Sequence, residues 1–192
     1  MDYKILQALL KGFLNISFKC ERIGIENIPD NGGAIVALNH RSYWDVVFAG
    51  SFLKRPLRYM AKSGLFENPL FGWLITKLGA FPVQRGKGDV GAIKSALKIL
   101  KGGDIMLIFP EGKRVFGGEH TKAKSGVALI SIMAKVPVIP VCISGDYKFR
   151  HKITVNIGKP IEFGEYYTKK PDGEELQKMA DNVLETIYNL EV

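Results

Sequence analysis

Continuously apolar stretches and stretches of helical period take turns along this chain. Ala34–Leu38 reads Ala-Ile-Val-Ala-Leu, and Leu57–Ala61, Gly79–Arg85, Ile105–Phe109 and Pro137–Ile143 are also mostly apolar. Ala34–Leu38, Ile105–Phe109 and Pro137–Ile143, apolar at nearly every position, have no face to give to water and read as strands covered on both sides of a sheet. Leu57–Ala61 reads as a short strand ending at Lys62, and Gly79–Arg85 as one that delivers an arginine to its loop. Phe18–Ile25 and the basic Lys148–Ile157 alternate instead, which suits strands with one wetter face. Glu26–Gly32 supplies turn chemistry between the first two strands.

The intervening segments repeat at helical spacing. Residues 3–18 gather Ile5, Leu6, Leu9, Leu10, Phe13 and Leu14 on one face and Lys4, Gln7, Lys11 and Asn15 on the other. A second helix runs from about Asp45 to Leu53, with Ser42-Tyr43-Trp44-Asp45 in the form of a capping box. A third reaches Leu78 and carries Leu70, Phe71, Trp73, Leu74 and Ile75, a set that reads first as core. Asp89 caps a fourth, which runs through Leu100 to Gly102-Gly103, and a fifth covers Gly126–Ala134. The last, over 173–190, turns Leu176, Met179, Val183, Leu184, Ile187 and Leu190 inward. Strands alternating with helices predict a single α/β domain over 19–192. Its sheet is mixed but mostly parallel and flanked by helices, and an N-terminal amphipathic helix over 1–18 precedes it. That helix either packs its apolar face on the domain or lies in a bilayer interface.

Composition narrows the class of partner. The chain has 192 residues, 46% of them apolar, and 27 Lys and Arg against 19 Asp and Glu give a net charge of +8. An anionic partner follows: a nucleic acid, an anionic membrane or a phosphorylated substrate. No aromatic-interleaved basic module argues for nucleic acid, and Arg85-Gly86-Lys87-Gly88 lacks the spacing of a nucleotide-binding loop. Cys20 and Cys142 stand far apart in apolar contexts without metal-ligand spacing, so both read as reduced core residues of a cytoplasmic protein. The longest apolar run, Gly126–Ile143, is broken by Lys135, Pro137 and Pro140 and reads as helix then strand.

Chemistry gathers where the apolar strands end. His40 lies just beyond Ala34–Leu38, and Asp45 falls in the first turn of the next helix, close enough to accept an imidazole N–H and fix its tautomer. Arg85 ends another strand, and Glu111-Gly112-Lys113-Arg114 follows a third. Ligands bind at the carboxyl ends of strands in open α/β sheets, so parallel neighbours would bring these groups to one edge.

These residues carry a resemblance. Asn39-His40-Arg41-Ser42-Tyr43-Trp44-Asp45 resembles the His-x4-Asp box of the glycerolipid acyltransferases, particularly the 1-acylglycerol-3-phosphate O-acyltransferase family. Gly79–Arg85, Phe109-Pro110-Glu111-Gly112 and Val136-Pro137-Val138-Ile139-Pro140 are similar to that family's later blocks, in order, over roughly residues 20–160. One departure is Lys113, which stands where the third block usually has Thr or Ser.

The resemblance implies acyl transfer from a thioester, of acyl carrier protein or coenzyme A, to the free hydroxyl of a lysophosphatidate. His40 would be the base and Asp45 its orienter, with no resident cofactor or metal. It implies phosphate contacts from Arg85 first, then Arg114 and Lys113. Glu111 would meet a glycerol hydroxyl or position Arg85, Gly112 would admit a close backbone approach, and Lys62 matches a lysine common in the family. Leu65–Leu78 offers candidates for an acyl groove. A peripheral enzyme on an anionic cytoplasmic leaflet is the expected setting. The alternatives are transfer to glycerol-3-phosphate or another lysolipid, and a catalytically dead lipid-binding protein.

Overall fold

A computed structural model describes residues 3–83, 90–115 and 121–192. Among them the elements are α1 (Tyr3–Ser17), β1 (Lys19–Ile23), β2 (Ala34–Leu38), α2 (Trp44–Phe52), β3 (Leu57–Lys62), α3 (Pro69–Lys77), β4 (Ala80–Val83), α4 (Val90–Lys101), β5 (Ile105–Ile108), α5 (Gly126–Ala134), β6 (Val138–Gly145), β7 (Lys152–Ile157) and α6 (Gly173–Tyr188). The strands form one seven-stranded sheet in the order β1-β7-β6-β2-β5-β3-β4. Neighbours from β6 through β4 are parallel, β7 is antiparallel to β6, and β1 is parallel to β7. The expected mixed, mostly parallel α/β sheet is what forms.

β2 sits near the middle, and all five of its residues are fully buried. Its side chains alternate between two cores, as strand geometry requires. Ala34, Val36 and Leu38 pack with Leu14 and Phe18 near α1 and with Phe48, Ala49 and Phe52 of α2. Ile35 and Ala37 pack with Ala96 and Leu100 of α4, Val127 and Ala128 of α5, and Val183 and Leu184 of α6. Ile75 of α3 packs on Tyr59 and Ala61 of β3. Alternation puts those two residues on the side of Leu57, so α3 shares a layer with α1 and α2.

Local chemistry accounts for several ends. Asn68 caps α3 by accepting from Phe71 N–H at 3.0 Å. Gly79 then takes φ +95, with its Cα so close to β3 that a Cβ would stand 2.0 Å from the Leu57 carbonyl oxygen. Asp172 and Glu175 close a reciprocal capping box on α6, at 2.8 and 2.9 Å.

Some expectations need correction. The basic strand begins at Lys152, not Lys148, because Gly145 (φ 103) and Arg150 (φ 65) turn the chain through a loop first. Of the capping box at Ser42 only one half forms: the Asp45 carboxylate accepts from Ser42 N–H, while the Ser42 hydroxyl meets Trp44 N–H at 3.3 Å. The apolar face predicted for α1 is split. Leu6 and Leu14 are buried, whereas Ile5, Leu9, Phe13 and Ile16 are more than half exposed. Gln7, expected on the polar side, faces the domain and donates to the carbonyls of Gly50 and Leu53, at 2.9 and 3.0 Å, where α2 ends. In α3, Leu70, Phe71 and Trp73 are exposed rather than core. The expected cap Asp89 lies outside the described residues.

Candidate active site

β2 delivers His40 through a side chain that imitates a strand. Asn39 is buried and bonds both ways to the Ile143 backbone, accepting from its N–H at 2.8 Å and donating to its carbonyl at 3.0 Å. The ladder between β2 and β6 is thereby extended one residue and stopped, which releases His40 at the carboxyl edge. The loop after β5 then clasps the His40 backbone: its N–H donates to Glu111 Oε2 at 2.7 Å, and its carbonyl accepts from Val115 N–H at 2.8 Å. The imidazole lies flat on Phe109, with ring centroids 3.9 Å apart.

His40 Nδ1 lies 3.0 Å from Asp45 Oδ2. Asp45 is 1% exposed and sits in the first turn of α2, where the helix dipole favours its charge. Oδ2 also accepts from the N–H groups of Arg41 and Ser42, both at 2.7 Å. Tyr147, in the loop after β6, donates its hydroxyl to Oδ1. A carboxylate so supplied is an acceptor toward His40, which assigns the proton to Nδ1 and leaves the lone pair on Nε2. Burial and the neighbouring carboxylate push the Tyr147 hydroxyl well above its ordinary value, so it stays a donor.

Glu111 holds the loop on which His40 stands. It is 3% exposed, and both oxygens are engaged: Oε2 by His40 N–H and Oε1 by the Tyr188 hydroxyl at 3.0 Å. It therefore holds the backbone of His40. Burial raises its carboxyl, partly offset by the two bonds it accepts. Gly112 occupies the turn that follows, at φ +71, where a Cβ would press on the Lys124 side chain at 3.0 Å.

The cations divide. Lys113 and Arg114 are exposed beside the clasp, and the Arg114 guanidinium lies 4.2 Å over the Tyr43 ring. Lys62 ends β3, on the same edge but two strands from β2, roughly 10 Å across the sheet. Arg85, the first phosphate candidate, lies outside the described residues. Tyr147 and Tyr188 were not singled out from the sequence. Tyr147 follows a strand in a loop with no motif, and Tyr188 follows Leu184 and Ile187 in the inward stripe of α6, where it reads as packing.

A family model described as Acyltransferase matches residues 19–144, which include His40, Asp45 and Glu111. The chain belongs to the acyltransferase family. It is 31% identical over 195 residues to the 1-acyl-sn-glycerol-3-phosphate acyltransferase of Bacillus subtilis, covering 98% of this chain and 96% of that one. It is 36% identical to the enzyme of the same name from Streptococcus pneumoniae, covering 98% of this chain and 70% of the relative. The crystal structure of PlsC from Thermotoga maritima, a 1-acyl-sn-glycerophosphate acyltransferase, superposes with a TM-score of 0.74 at 26% identity, covering 98% of this acyltransferase and 80% of that chain.

Proposed function

We propose that this acyltransferase moves a fatty acyl group from an acyl thioester, of acyl carrier protein or coenzyme A, to the free hydroxyl of 1-acylglycerol-3-phosphate, giving phosphatidic acid. The observation that carries this reading is the state of His40, whose Nδ1 is committed to a buried, fully bonded Asp45 and whose Nε2 is left basic. Nε2 takes the proton of the acceptor hydroxyl as its oxygen attacks the thioester carbonyl. Asp45 stabilises the imidazolium, the C–S bond breaks, and the proton passes to the departing thiolate. The family's relatives named for 1-acyl-sn-glycerol-3-phosphate support the acceptor. Exposed Lys113 and Arg114, with Lys62 on the same edge and Arg85 from the sequence, supply cations for its phosphate.

The setting is the surface of an anionic membrane, on its cytoplasmic side. Among the described residues no helix is long and apolar enough to cross a bilayer. The exposed stripe Ile5, Leu9, Phe13 and Ile16 on α1 lies in the same layer as exposed Leu70, Phe71 and Trp73 on α3, and the net charge of +8 complements anionic lipid. Transfer of a labelled acyl group from each donor, with lysophosphatidate, glycerol-3-phosphate and lysophosphatidylcholine as acceptors, tests the proposal. Lysophosphatidate is the expected acceptor, and His40→Ala and Asp45→Asn lose the activity by about 10²-fold or more. Undiminished transfer by His40→Ala refutes the mechanism.

A further inference from the structure

Tyr147 reaches Asp45 from a distant part of the chain. It lies two residues beyond the end of β6, after Gly145 has turned the backbone at φ +103. Its ring packs against Phe48 of α2 with centroids 5.7 Å apart, which aims the hydroxyl at Asp45 Oδ1. The two carboxylate oxygens are served unequally. Oδ2 takes the N–H groups of Arg41, Ser42 and His40, whereas among the described residues Oδ1 has the Tyr147 hydroxyl as its donor. With Asp45 1% exposed, water is a poor substitute.

We infer that Tyr147 is a positioning residue for the acyl transfer: its hydroxyl fixes the rotation of the Asp45 carboxylate, and so the orientation of the His40 imidazole toward the acceptor hydroxyl. This inference rests on the reading of His40 as the base. A turn about the Cβ–Cγ bond moves both oxygens, so the three N–H groups on Oδ2 resist it at one oxygen and the Tyr147 hydroxyl at the other. Anchored on both, the carboxylate holds the imidazole plane that Phe109 supports from the other side. The charged and titratable groups around the pair are Arg41 on the loop before α2, Glu111 after β5 and Cys142 on β6, and Arg41 is drawn toward Glu191 at 3.6 Å. Among the described residues none of these is bonded to Oδ1, so the bond that Tyr147 makes there is not duplicated.

Tyr147→Phe keeps the ring on Phe48 and removes only the hydroxyl. Removing a bond to a charged acceptor lowers kcat by about 10-fold or more, with KM for lysophosphatidate within about twofold. The downfield proton resonance of His40 Nδ1–H shifts in the same variant, because its acceptor has lost a competing donor. In an Asp45→Asn background the Tyr147→Phe change costs less than about twofold more, since the two act as a unit. The inference is overturned if kcat and the resonance are unchanged, if kcat and KM worsen together with the melting temperature, or if Tyr147→Phe costs the same in both backgrounds. Active His40→Ala would bring down the base and this inference together. Inactive His40→Ala with unimpaired Tyr147→Phe brings down this inference alone.

Discussion

Glu111 offers the sharpest separation of structure from charge. In Glu111→Ala the half-buried His40 N–H loses its acceptor, which costs about 1–3 kcal/mol, and the half-buried Tyr188 hydroxyl exchanges a carboxylate for water at about 0.5–1.5 kcal/mol. In Glu111→Gln the side-chain carbonyl can still accept from His40 N–H, and the amide faces the Tyr188 oxygen, which accepts more weakly than it donates. Its cost is therefore within about 1 kcal/mol. For a chain of this length each kcal/mol lowers the melting temperature by about 2–4 °C, so Ala is expected to melt about 3–18 °C below wild type and Gln within about 4 °C. Acyl transfer follows the same order, because the backbone bond places the imidazole.

The pH dependence has a definite sign. Burial raises the Glu111 carboxyl in the folded protein above its ordinary value of 4.5. Between that value and the raised one, the folded state holds a proton that the unfolded state has released, so this group's contribution to stability falls as pH rises through the window. Gln carries no such proton. The difference in stability between Glu111→Gln and wild type thus moves in favour of Gln as pH climbs from 4.5, then levels off. Thermal melts of the three proteins across this range check it. Equal melting of Ala and wild type, or Gln as damaging as Ala, would refute the assignment of Glu111 as the anchor of the His40 backbone.

Other perturbations test the frame around the site. Leu9→Ser with Phe13→Ser removes two exposed apolar side chains, at about 1 kcal/mol each, so partition onto anionic vesicles in a flotation assay should weaken by about 30-fold with the melting temperature unchanged. Deleting 1–18 is a poorer experiment, since Leu14 and Phe18 belong to the core. Asp172→Ala opens the capping box of α6 and is expected to cost about 1 kcal/mol, read as a melting temperature lower by about 2–4 °C. Gly79→Ala forces a Cβ to within 2.0 Å of the Leu57 carbonyl at a positive φ, and should lower the soluble yield or the melting temperature more than either.

What the sequence discloses here depends on how far apart the interacting residues lie. The strands β2, β5 and β6 were legible because burial on both faces leaves an unbroken apolar run. The contact of His40 with Asp45 was legible because five residues of separation across a strand-to-helix turn allow little else. The orientation of α1 was not. Its hydrophobic face spans Ile5 to Leu14, but Gln7 finds the open carbonyls of Gly50 and Leu53, whose positions depend on where α2 stops, and the helix rolls to meet them. Half of the apolar face then turns outward.

The same distinction runs through the site. Asp45 and Glu111 were visible as candidates because each lies next to a strand end, yet the bond of Glu111 to the His40 backbone was not. Its bond to the His40 backbone follows from β2 and β5 being parallel neighbours in a fixed register, a fact of topology rather than of spacing. The tyrosines are farther out of reach. Tyr147 meets Asp45 across 102 residues and Tyr188 meets Glu111 across 77, each from an element whose own pattern says only loop or helix. The amino-terminal half supplies the imidazole, Asp45 and the Arg41 and Ser42 N–H groups that hold it, while Glu111 and the two tyrosines that meet the carboxylates arrive only when β5, β6 and α6 have packed. The geometry of this site is consequently a property of the completed sheet, and a lesion in α6 that leaves every motif intact should still reach His40 through Tyr188 and Glu111.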